Sequence, residues 1–170
     1  MIFVTVGTHY LGFERLIKKV DEIAGKIDEE VIAQIGSTDY KPKNMAYFTF
    51  VEEEKMSELF EKSRIIVTHS GAGTFLRILN YNKPIVVIPR FKKFNEHIDD
   101  HQLELAEVFN KKGKAIAVYD IKNLEDALEK TKKIIYKKNI KNKRLITFLK
   151  DYIGKMENEN MHGSIDSISS

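Results

Sequence analysis

Residues 64–74 read RIIVTHSGAGT, an apolar segment followed directly by a glycine-rich loop. The run 64–68 is typical of a β-strand buried on both faces, because β-branched residues are frequent in such strands. The loop at 69–71 leads into a helix that we expect to begin near Ala72. A strand, a tight loop and a helix in this order indicate a parallel sheet covered by helices.

The same alternation extends to both sides of this segment. Before it we predict, in order, a strand at 2–6, a helix, strands at 31–35 and 46–51, and a helix at 52–62. After it we predict a strand at 85–88, a helix at 99–110, a strand at 115–118, and helices at about 123–136 and 139–154. This order predicts an α/β fold with a doubly wound, Rossmann-like parallel sheet, whose ligands bind outside the carboxyl ends of the strands.

The chain has the size of one domain, with 170 residues of which 42% are hydrophobic and 31% charged. We assign residues 1–154 to this domain and 155–170 to a flexible polar tail. No apolar run approaches the roughly 20 residues of a membrane-spanning helix, and the apolar start is predicted to be a strand instead of a signal peptide. The sequence has no cysteine, which excludes disulfides and thiolate metal sites and fits a cytoplasmic protein.

Three loops that follow predicted strands are rich in glycine and polar residues. They are residues 7–9, 69–74 and 90–102. Four of the five histidines lie in them, namely His9, His69, His97 and His101. Because the carboxyl ends of parallel strands share one edge of a sheet, we expect these loops to meet there.

The middle loop has the features of a phosphate-binding loop. Gly71 and Gly73 let the backbone approach a ligand closely, and Ser70 and Thr74 supply hydroxyl groups. The N-terminus of the following helix attracts anions. The loop lacks the ending of a P-loop and does not match the dinucleotide fingerprint. Two interpretations stay open, phosphate binding or a tight turn without a ligand, and His69 either contacts a ligand or ties the loop to nearby backbone.

The spacing of His97 and His101 raises the question of a metal site, because imidazoles four residues apart can share a divalent ion. The neighbouring Asp99 and Asp100 have a simpler explanation, since carboxylates are preferred at the start of a helix. We therefore expect no metal, and instead hydrogen bonds from His101 and Gln102 to a sugar or nucleotide.

The C-terminal part of the chain is strongly basic between residues 130 and 150. A solvated helix face explains such a run, and attraction to an anionic membrane or an acidic partner is the alternative. Nucleic acid is not expected, because no basic motif with interleaved aromatic residues is present. The helices predicted here also carry an apolar stripe that packs against the sheet or docks a membrane subunit. The stripe consists of Ile134, Ile135, Leu145, Phe148, Leu149, Tyr152 and Ile153.

Several segments in order resemble the glycosyltransferase family 28 C-terminal domain. They are FVTVGT at 3–8, THSGAGT at 68–74, KPIVVIPR at 83–90, NEH at 95–97 and DHQLELA at 100–106. More narrowly, the sequence resembles the stand-alone donor-binding subunits of two-part glycosyltransferases, which act in capsule, exopolysaccharide or N-glycan assembly. The resemblance covers residues 1 to about 120 and implies a single half of a GT-B fold, whose active site lies in a cleft between two Rossmann-like halves.

The resemblance also implies roles for individual residues. The donor diphosphate is expected at Ser70, Gly71, Ala72, Gly73 and Thr74. The donor sugar is expected at His101 and Gln102, and the uracil beside Phe50 and Val51. The loops that face the cleft contain Gly7, Thr8, His69, Arg90, Glu96 and His97.

The function implied is that of an inverting transferase half that holds a UDP-hexose or UDP-N-acetylhexosamine without a metal or other cofactor. A membrane-attached partner subunit binds the lipid-linked saccharide acceptor, forms a heterodimer with this chain and recruits it to the cytoplasmic face of the membrane. One alternative is an accessory subunit that stimulates a separate transferase. A UDP-sugar epimerase is disfavoured, because such enzymes carry both halves in one chain.

Two positions are less simple. Several relatives carry a ribose-binding glutamate three residues after the loop hydroxyl, where this sequence has Arg77. Ribose recognition then comes from elsewhere, or the arginine meets a phosphate or the partner. Transfer also requires a base for the acceptor hydroxyl. The family implies that the other half supplies this base, and His9 is a weak candidate here.

Overall fold

The structure of the protein is a computed structural model that describes residues 1–132, 147–152 and 154. Its six strands are β1 (Ile2–Thr5), β2 (Val31–Gln34), β3 (Ala46–Phe48), β4 (Ile65–Thr68), β5 (Ile85–Val87) and β6 (Ile116–Ala117). All neighbouring strands pair in parallel, in the order β3-β2-β1-β4-β5-β6. This arrangement confirms the predicted doubly wound α/β fold, and its strand order is that of a Rossmann sheet.

Helices cover both faces of the sheet, which explains why the central strands are apolar without alternation. The helices are α1 (Glu14–Ala24), α2 (Glu53–Lys62), α3 (Ala72–Ile78), α4 (His101–Lys111) and α5 (Leu124–Lys132). One hydrophobic core lies between the sheet and α1 and α5, and the other between the sheet and α2, α3 and α4. Short 3₁₀ turns lie at Leu79–Tyr81, Lys92–Phe94 and Ile121–Asn123.

The register of the two central strands positions the loops that follow them. Thr5 of β1 is paired with Thr68 of β4. Both strands end at this pair. The loops at residues 6–13 and 69–71 therefore leave the sheet side by side.

Two predicted boundaries are wrong by two or three residues. β3 ends at Phe48, so residues 50 and 51 lie in the connection to α2 instead of ending the strand. α4 begins at His101 instead of residue 99, because both preceding carboxylates are used in the loop. Asp99 accepts from the backbone N–H of His101 at 3.1 Å, and Asp100 accepts from that of Lys92 at 3.0 Å.

The C-terminal part is described only in pieces. α5 agrees with the first part of the helix predicted at 123–136, and residues 147–152 and 154 are helical. Leu149 is buried in the core beneath α2, α3 and α4, whereas Phe148 is 37% exposed. Ile134, Ile135, Leu145, Ile153, most of the basic run and the predicted tail at 155–170 lie outside the described residues. Within the described ranges, no helix has both the length and the apolar character needed to cross a membrane.

Candidate functional site

The loops after β1, β4 and β5 pack together at the carboxyl edge of the sheet. β1 and β4 are neighbours in the sheet. From β1 the strand order continues through β2 to β3 on one side, and from β4 it continues through β5 to β6 on the other. The gap between their loops is therefore the topological switch point, where open α/β sheets bind their ligands. The segment 88–100 packs against the β1 loop through ring contacts and hydrogen bonds.

The imidazole of His69 fills the space between two glycines. A Cβ atom on Gly7 would lie 2.5 Å from His69 Cε1, and one on Gly71 would lie 2.3 Å from His69 Nε2. Gly7 also has a φ of +74°, which favours glycine. Gly71 thus makes room for His69, whereas the sequence pattern predicted close approach of a ligand. A Cβ on Gly73 would meet no heavy atom of the described chain within 4 Å.

His69 is held in its neutral form. Burial lowers the pKa of its imidazole to about 3, and the positive charge of Arg90 adds to this shift, while a hydrogen bond with the Thr5 backbone opposes it. The ring therefore carries no charge at physiological pH. Its burial between two glycine backbones favours the interpretation that His69 supports the loop.

A chain of hydrogen bonds joins the β4 loop to α4 and to the segment after β5. The hydroxyl of the fully buried Ser70 donates to the carbonyl oxygen of Gln102 at 2.7 Å. The side-chain oxygen of Gln102 accepts from the backbone N–H of Arg90 at 3.2 Å. Of the two hydroxyls predicted to face a ligand, that of Ser70 is thus occupied, and Thr74 is half-buried at the start of α3.

Arg90 lies beneath the crevice and is fully buried. Its Nη1 donates to the carbonyl oxygens of Leu11, Gly12 and Glu96, and its Nη2 donates to that of Val6, all at 2.9–3.0 Å. Burial lowers the pKa of Arg90 to about 10, against the attraction of nearby carboxylates, so the group stays protonated at neutral pH. Arg90 is therefore a clamp between loops, not an exposed cleft residue.

Glu96 is also buried, in a second clamp that the sequence did not predict. Arg15 donates from Nε and Nη2 to the two carboxylate oxygens of Glu96 at 2.9 and 2.8 Å, and also to the carbonyl of Pro89 at 2.9 Å. The backbone N–H of Phe91 donates to the same carboxylate at 3.0 Å. The sequence offered one signal for this clamp. Arg15 lies in the first turn of α1, where a cation is unfavourable unless a specific partner holds it.

Three rings stack at the mouth of the crevice. His9 lies 4.6 Å from the ring of Tyr10 and 4.7 Å from that of His97. Partial burial lowers the pKa of His9, and the neighbouring His97 and Arg90 lower it further. Nδ1 of His9 accepts from the backbone N–H of Leu11 at 3.2 Å. The neutral imidazole therefore carries its proton on Nε2.

The predicted nucleobase segment borders the β1 loop. Phe50 is 53% exposed, and Val51 is half-buried. A Cβ on Gly36 would lie 3.0 Å from the carbonyl oxygen of Gly7 and 3.9 Å from the ring of Phe50. The end of β2 thus links this aromatic ring to the crevice.

The other predicted site residues lie at the starts of helices or on the β1 loop. Thr8 is exposed on that loop, and Ala72 is buried in the first turn of α3. His101 begins α4, with its ring edge-on to that of Tyr152 at 6.4 Å.

Arg77 forms an ion pair across two helices. Its guanidinium contacts the Glu53 carboxylate in the first turn of α2, and it lies 5.7 Å from the ring of Phe60. The pair is well exposed, at 43% for Arg77 and 72% for Glu53. Arg77 therefore meets a carboxylate of its own chain.

The histidines of this edge were considered above as metal ligands. Among residues 1–132, 147–152 and 154, no three histidine or acidic side chains come together in a group that could bind a metal ion. Nδ1 of His97 instead lies 3.0 Å from Oδ1 of Asp99.

This strand order, with a glycine-rich loop at the switch point, defines a Rossmann-type ligand-binding domain. The sequence profile of the glycosyltransferase family 28 C-terminal domain matches residues 1–156. The chain belongs to this family, which confirms the resemblance seen in the sequence.

Individual relatives agree with this assignment. The UDP-N-acetylglucosamine transferase subunit ALG13 of Homo sapiens is 32% identical over 123 residues, which are 66% of this chain and 10% of that protein. The protein of the same name from Candida albicans is 33% identical over 86 residues, 51% of this chain and 28% of that protein. The chain thus spans about a tenth and about a quarter of the lengths of these two relatives.

A bacterial relative and two solved structures extend the comparison. The UDP-N-acetylglucosamine–N-acetylmuramyl-(pentapeptide) pyrophosphoryl-undecaprenol N-acetylglucosamine transferase of Prochlorococcus marinus is 28% identical over 155 residues, 89% of this chain and 40% of that protein. The kitacinnamycin glycotransferase superimposes with a TM-score of 0.59 at 21% identity, covering 76% of this chain and 34% of that one. MurG of Acinetobacter baumannii superimposes with a TM-score of 0.53 at 17% identity, covering 75% of this chain and 40% of that one. Both structures support the fold.

The packing of His69 predicts opposite effects for two neighbouring glycines. Gly71→Ala forces a methyl group into the imidazole and should lower the free energy of unfolding by about 1–3 kcal/mol. Gly73→Ala adds a methyl group in open space within a helix, so stability should stay unchanged or rise by up to about 1 kcal/mol. Urea unfolding compares the two variants, and His69→Ala in the Gly71→Ala background should restore part of the loss. Equal stability of the two single variants would contradict the contact.

The buried clamp predicts a large difference between two arginines. Arg90→Met leaves four carbonyl oxygens without their donor and should lower the free energy of unfolding by about 3 kcal/mol or more. Arg77→Met removes an exposed ion pair and should cost about 1 kcal/mol or less. Urea unfolding compares the variants. A lower midpoint concentration with an unchanged m-value shows a loss of stability. A loss for Arg90→Met no larger than that for Arg77→Met would show that the guanidinium does not hold the loops.

Proposed function

We propose that this chain is the donor-binding half of an inverting glycosyltransferase that transfers a hexose or N-acetylhexosamine from a UDP-sugar to a lipid-linked saccharide. The observation that carries the proposal is the switch-point crevice with the loop at 70–74, in a chain that provides one Rossmann-type half. The names of the relatives favour N-acetylglucosamine as the sugar. We expect a membrane-attached partner subunit to bind the acceptor and to hold this chain at the cytoplasmic face, in capsule, exopolysaccharide or N-glycan assembly.

The diphosphate is proposed to lie at the start of α3. The first N–H groups of a helix have no partner within it, and the N-cap residue Gly71 has no side chain that could accept from them. The open space at Gly73 allows an anion to approach this backbone closely. Positive potential comes from the helix dipole and from the buried guanidinium of Arg90.

The two ends of the donor are proposed to extend from this point in opposite directions. The uracil would lie beside Phe50 and Val51, where an exposed aromatic ring borders the β1 loop. The sugar would lie near His101 and Gln102 at the start of α4. Because the side-chain oxygen of Gln102 already accepts from Arg90, its NH₂ group is the part that can donate to a sugar hydroxyl.

The ribose is proposed to be bound from α2. Arg77 occupies the position where several relatives carry a glutamate, and it pairs with Glu53. The pair brings a carboxylate next to that position from the neighbouring helix. Carboxylate oxygens accept hydrogen bonds from two adjacent hydroxyls, so Glu53 can take over this role.

The tautomer of His9 bears on the chemistry of transfer. In an inverting reaction a base removes the proton of the acceptor hydroxyl, the oxygen attacks C1 of the sugar, and UDP leaves with the bonding electrons. Because Nδ1 of His9 accepts from Leu11, the neutral ring offers Nε2–H as a donor and has no free acceptor for a proton. We therefore assign the base to the partner subunit and a donor role to His9. The start of α3 stabilises the negative charge that develops on the leaving UDP.

Gly73 offers a direct test of the phosphate site, because substitutions there have room. Gly73→Asp places a carboxylate where the diphosphate should lie and should weaken UDP binding at least about tenfold, whereas Gly73→Ala should change it less than about threefold. Isothermal titration calorimetry with UDP measures both. Since the described residues provide no metal-binding group, UDP affinity should be the same in EDTA.

The same titration separates the proposal from the alternative. Absence of UDP binding by the chain, both alone and with its partner subunit, would leave only an accessory role that stimulates a separate transferase. Equal UDP affinity of the wild-type protein and Gly73→Asp would show that the diphosphate binds elsewhere.

A further inference from the structure

A second cavity of about 640 Å³ lies beside the crevice, between the loops that follow β1, β2 and β5. Two large exposed rings line it, Tyr10 at 69% and Phe94 at 52% exposure. A concave surface lined by aromatic rings is typical of ligand sites.

Both rings are held in place by contacts that continue into the protein. Tyr10 stacks on His9 at 4.6 Å, and His9 in turn stacks on His97 at 4.7 Å. Phe94 packs edge-on against Phe91 at 5.5 Å. A ring that is already fixed loses little conformational entropy when a ligand covers it, so this surface is preorganised for binding.

Arg15 extends this support to the polar side of the cavity. Its guanidinium lies 5.2 Å from the centre of the Phe94 ring and is fixed by two hydrogen bonds to Glu96. Asn95 also lines the cavity, with a backbone φ of +56°. Asparagine adopts this left-handed conformation more readily than most residues, so the turn places an amide-bearing residue in the cavity wall.

The other polar residues that line the cavity are Ser37 and two carboxylates. Glu14 and Asp39 line it, and Oε1 of Glu14 accepts from the backbone N–H of Asp39 at 3.0 Å. Because Glu96 already neutralises Arg15, Glu14 and Asp39 give the cavity a net negative charge. A negative cavity repels the diphosphate of a nucleotide sugar, which distinguishes it from the proposed donor site.

We propose that this cavity binds saccharide units of the acceptor, in addition to the contacts that the partner subunit makes with the acceptor. A sugar ring offers apolar C–H faces that pack on aromatic rings, and hydroxyl groups that donate to carboxylate and amide oxygens. Tyr10 and Phe94 supply the rings, and Glu14, Asp39 and Asn95 supply the oxygens. The concave shape favours a small ligand over the flatter surface of a protein partner. This inference rests on the proposed function, since it assumes that a saccharide is the acceptor.

Saccharide titrations of the full chain, followed by ¹H–¹⁵N NMR, test the inference. The probes are N-acetylglucosamine, glucose, N,N′-diacetylchitobiose and cellobiose, each added without UDP and at saturating UDP. At least one probe should shift the amide signals of residues 10, 39 and 95, and should do so equally in the presence of UDP.

Matched variants identify the rings. Tyr10→Ala and Phe94→Ala should each weaken saccharide binding about fivefold or more, whereas Tyr10→Phe and Phe94→Tyr keep a ring and should change it less than about twofold. Both side chains are exposed, so folding should be retained, and UDP affinity should be unchanged in all four variants.

Three outcomes would overturn the inference. The first is that no probe shifts these signals. The second is that UDP displaces the saccharide and the shifts lie at residues 70–74. The third is that the signals shift only when the partner subunit is added, which would make this face a protein interface. In each of these cases binding of UDP by the chain would still support the proposed function. Failure of UDP binding would instead refute the proposed function on its own.

Discussion

The buried guanidinium of Arg90 is the contact on which the carboxyl edge of the sheet depends. Its four hydrogen bonds reach carbonyl oxygens of Val6, Leu11, Gly12 and Glu96, so one side chain joins the loop after β1 to the loop after β5. The bonds to Val6 and Glu96 are buried, so these two carbonyls would lack a donor without the guanidinium, and those to Leu11 and Gly12 are part-buried. The buried guanidinium of Arg90 therefore fixes both loops.

The charge of Arg90 also shapes the chemistry of the crevice. Burial is the main cause that lowers the pKa of His69 and of His9, and the charge of Arg90 lowers both further. These two imidazoles are therefore mainly neutral at neutral pH. The attraction for an anion then comes from the start of α3 and from Arg90 itself. Beside the crevice, Arg15 and Glu96 neutralise each other. The carboxylates of Glu14 and Asp39 then leave the lining of the neighbouring cavity with a negative charge. The proposed donor site and this cavity thus lie on either side of the loop after β1 and differ in the charge of their lining residues.

The fold and the position of the site follow from the sequence, because apolar strands separated by helices require a covered parallel sheet with loops on one edge. What the residues around the crevice do was harder to predict. Gly71 and Ser70 were predicted to contact the diphosphate, and Arg90 to lie on a loop that faces the cleft. In the structure Gly71 packs against His69, Ser70 donates to the Gln102 carbonyl, and Arg90 donates to four loop carbonyls. These interactions join residues far apart in sequence, so local spacing contains no signal for them. Arg15 was missed although its place in the first turn of α1 was a signal, because its partner Glu96 is distant in sequence.

The most direct test of the central claim is a crystal structure of the chain soaked with UDP. The account predicts the diphosphate at the backbone of residues 72–74, the uracil beside Phe50 and Val51, and the ribose hydroxyls within hydrogen-bond distance of Glu53. Arg90 should remain buried beneath the loops without contacting the nucleotide. UDP bound in the negative cavity between Tyr10 and Phe94, or at the amino edge of the sheet, would contradict the account.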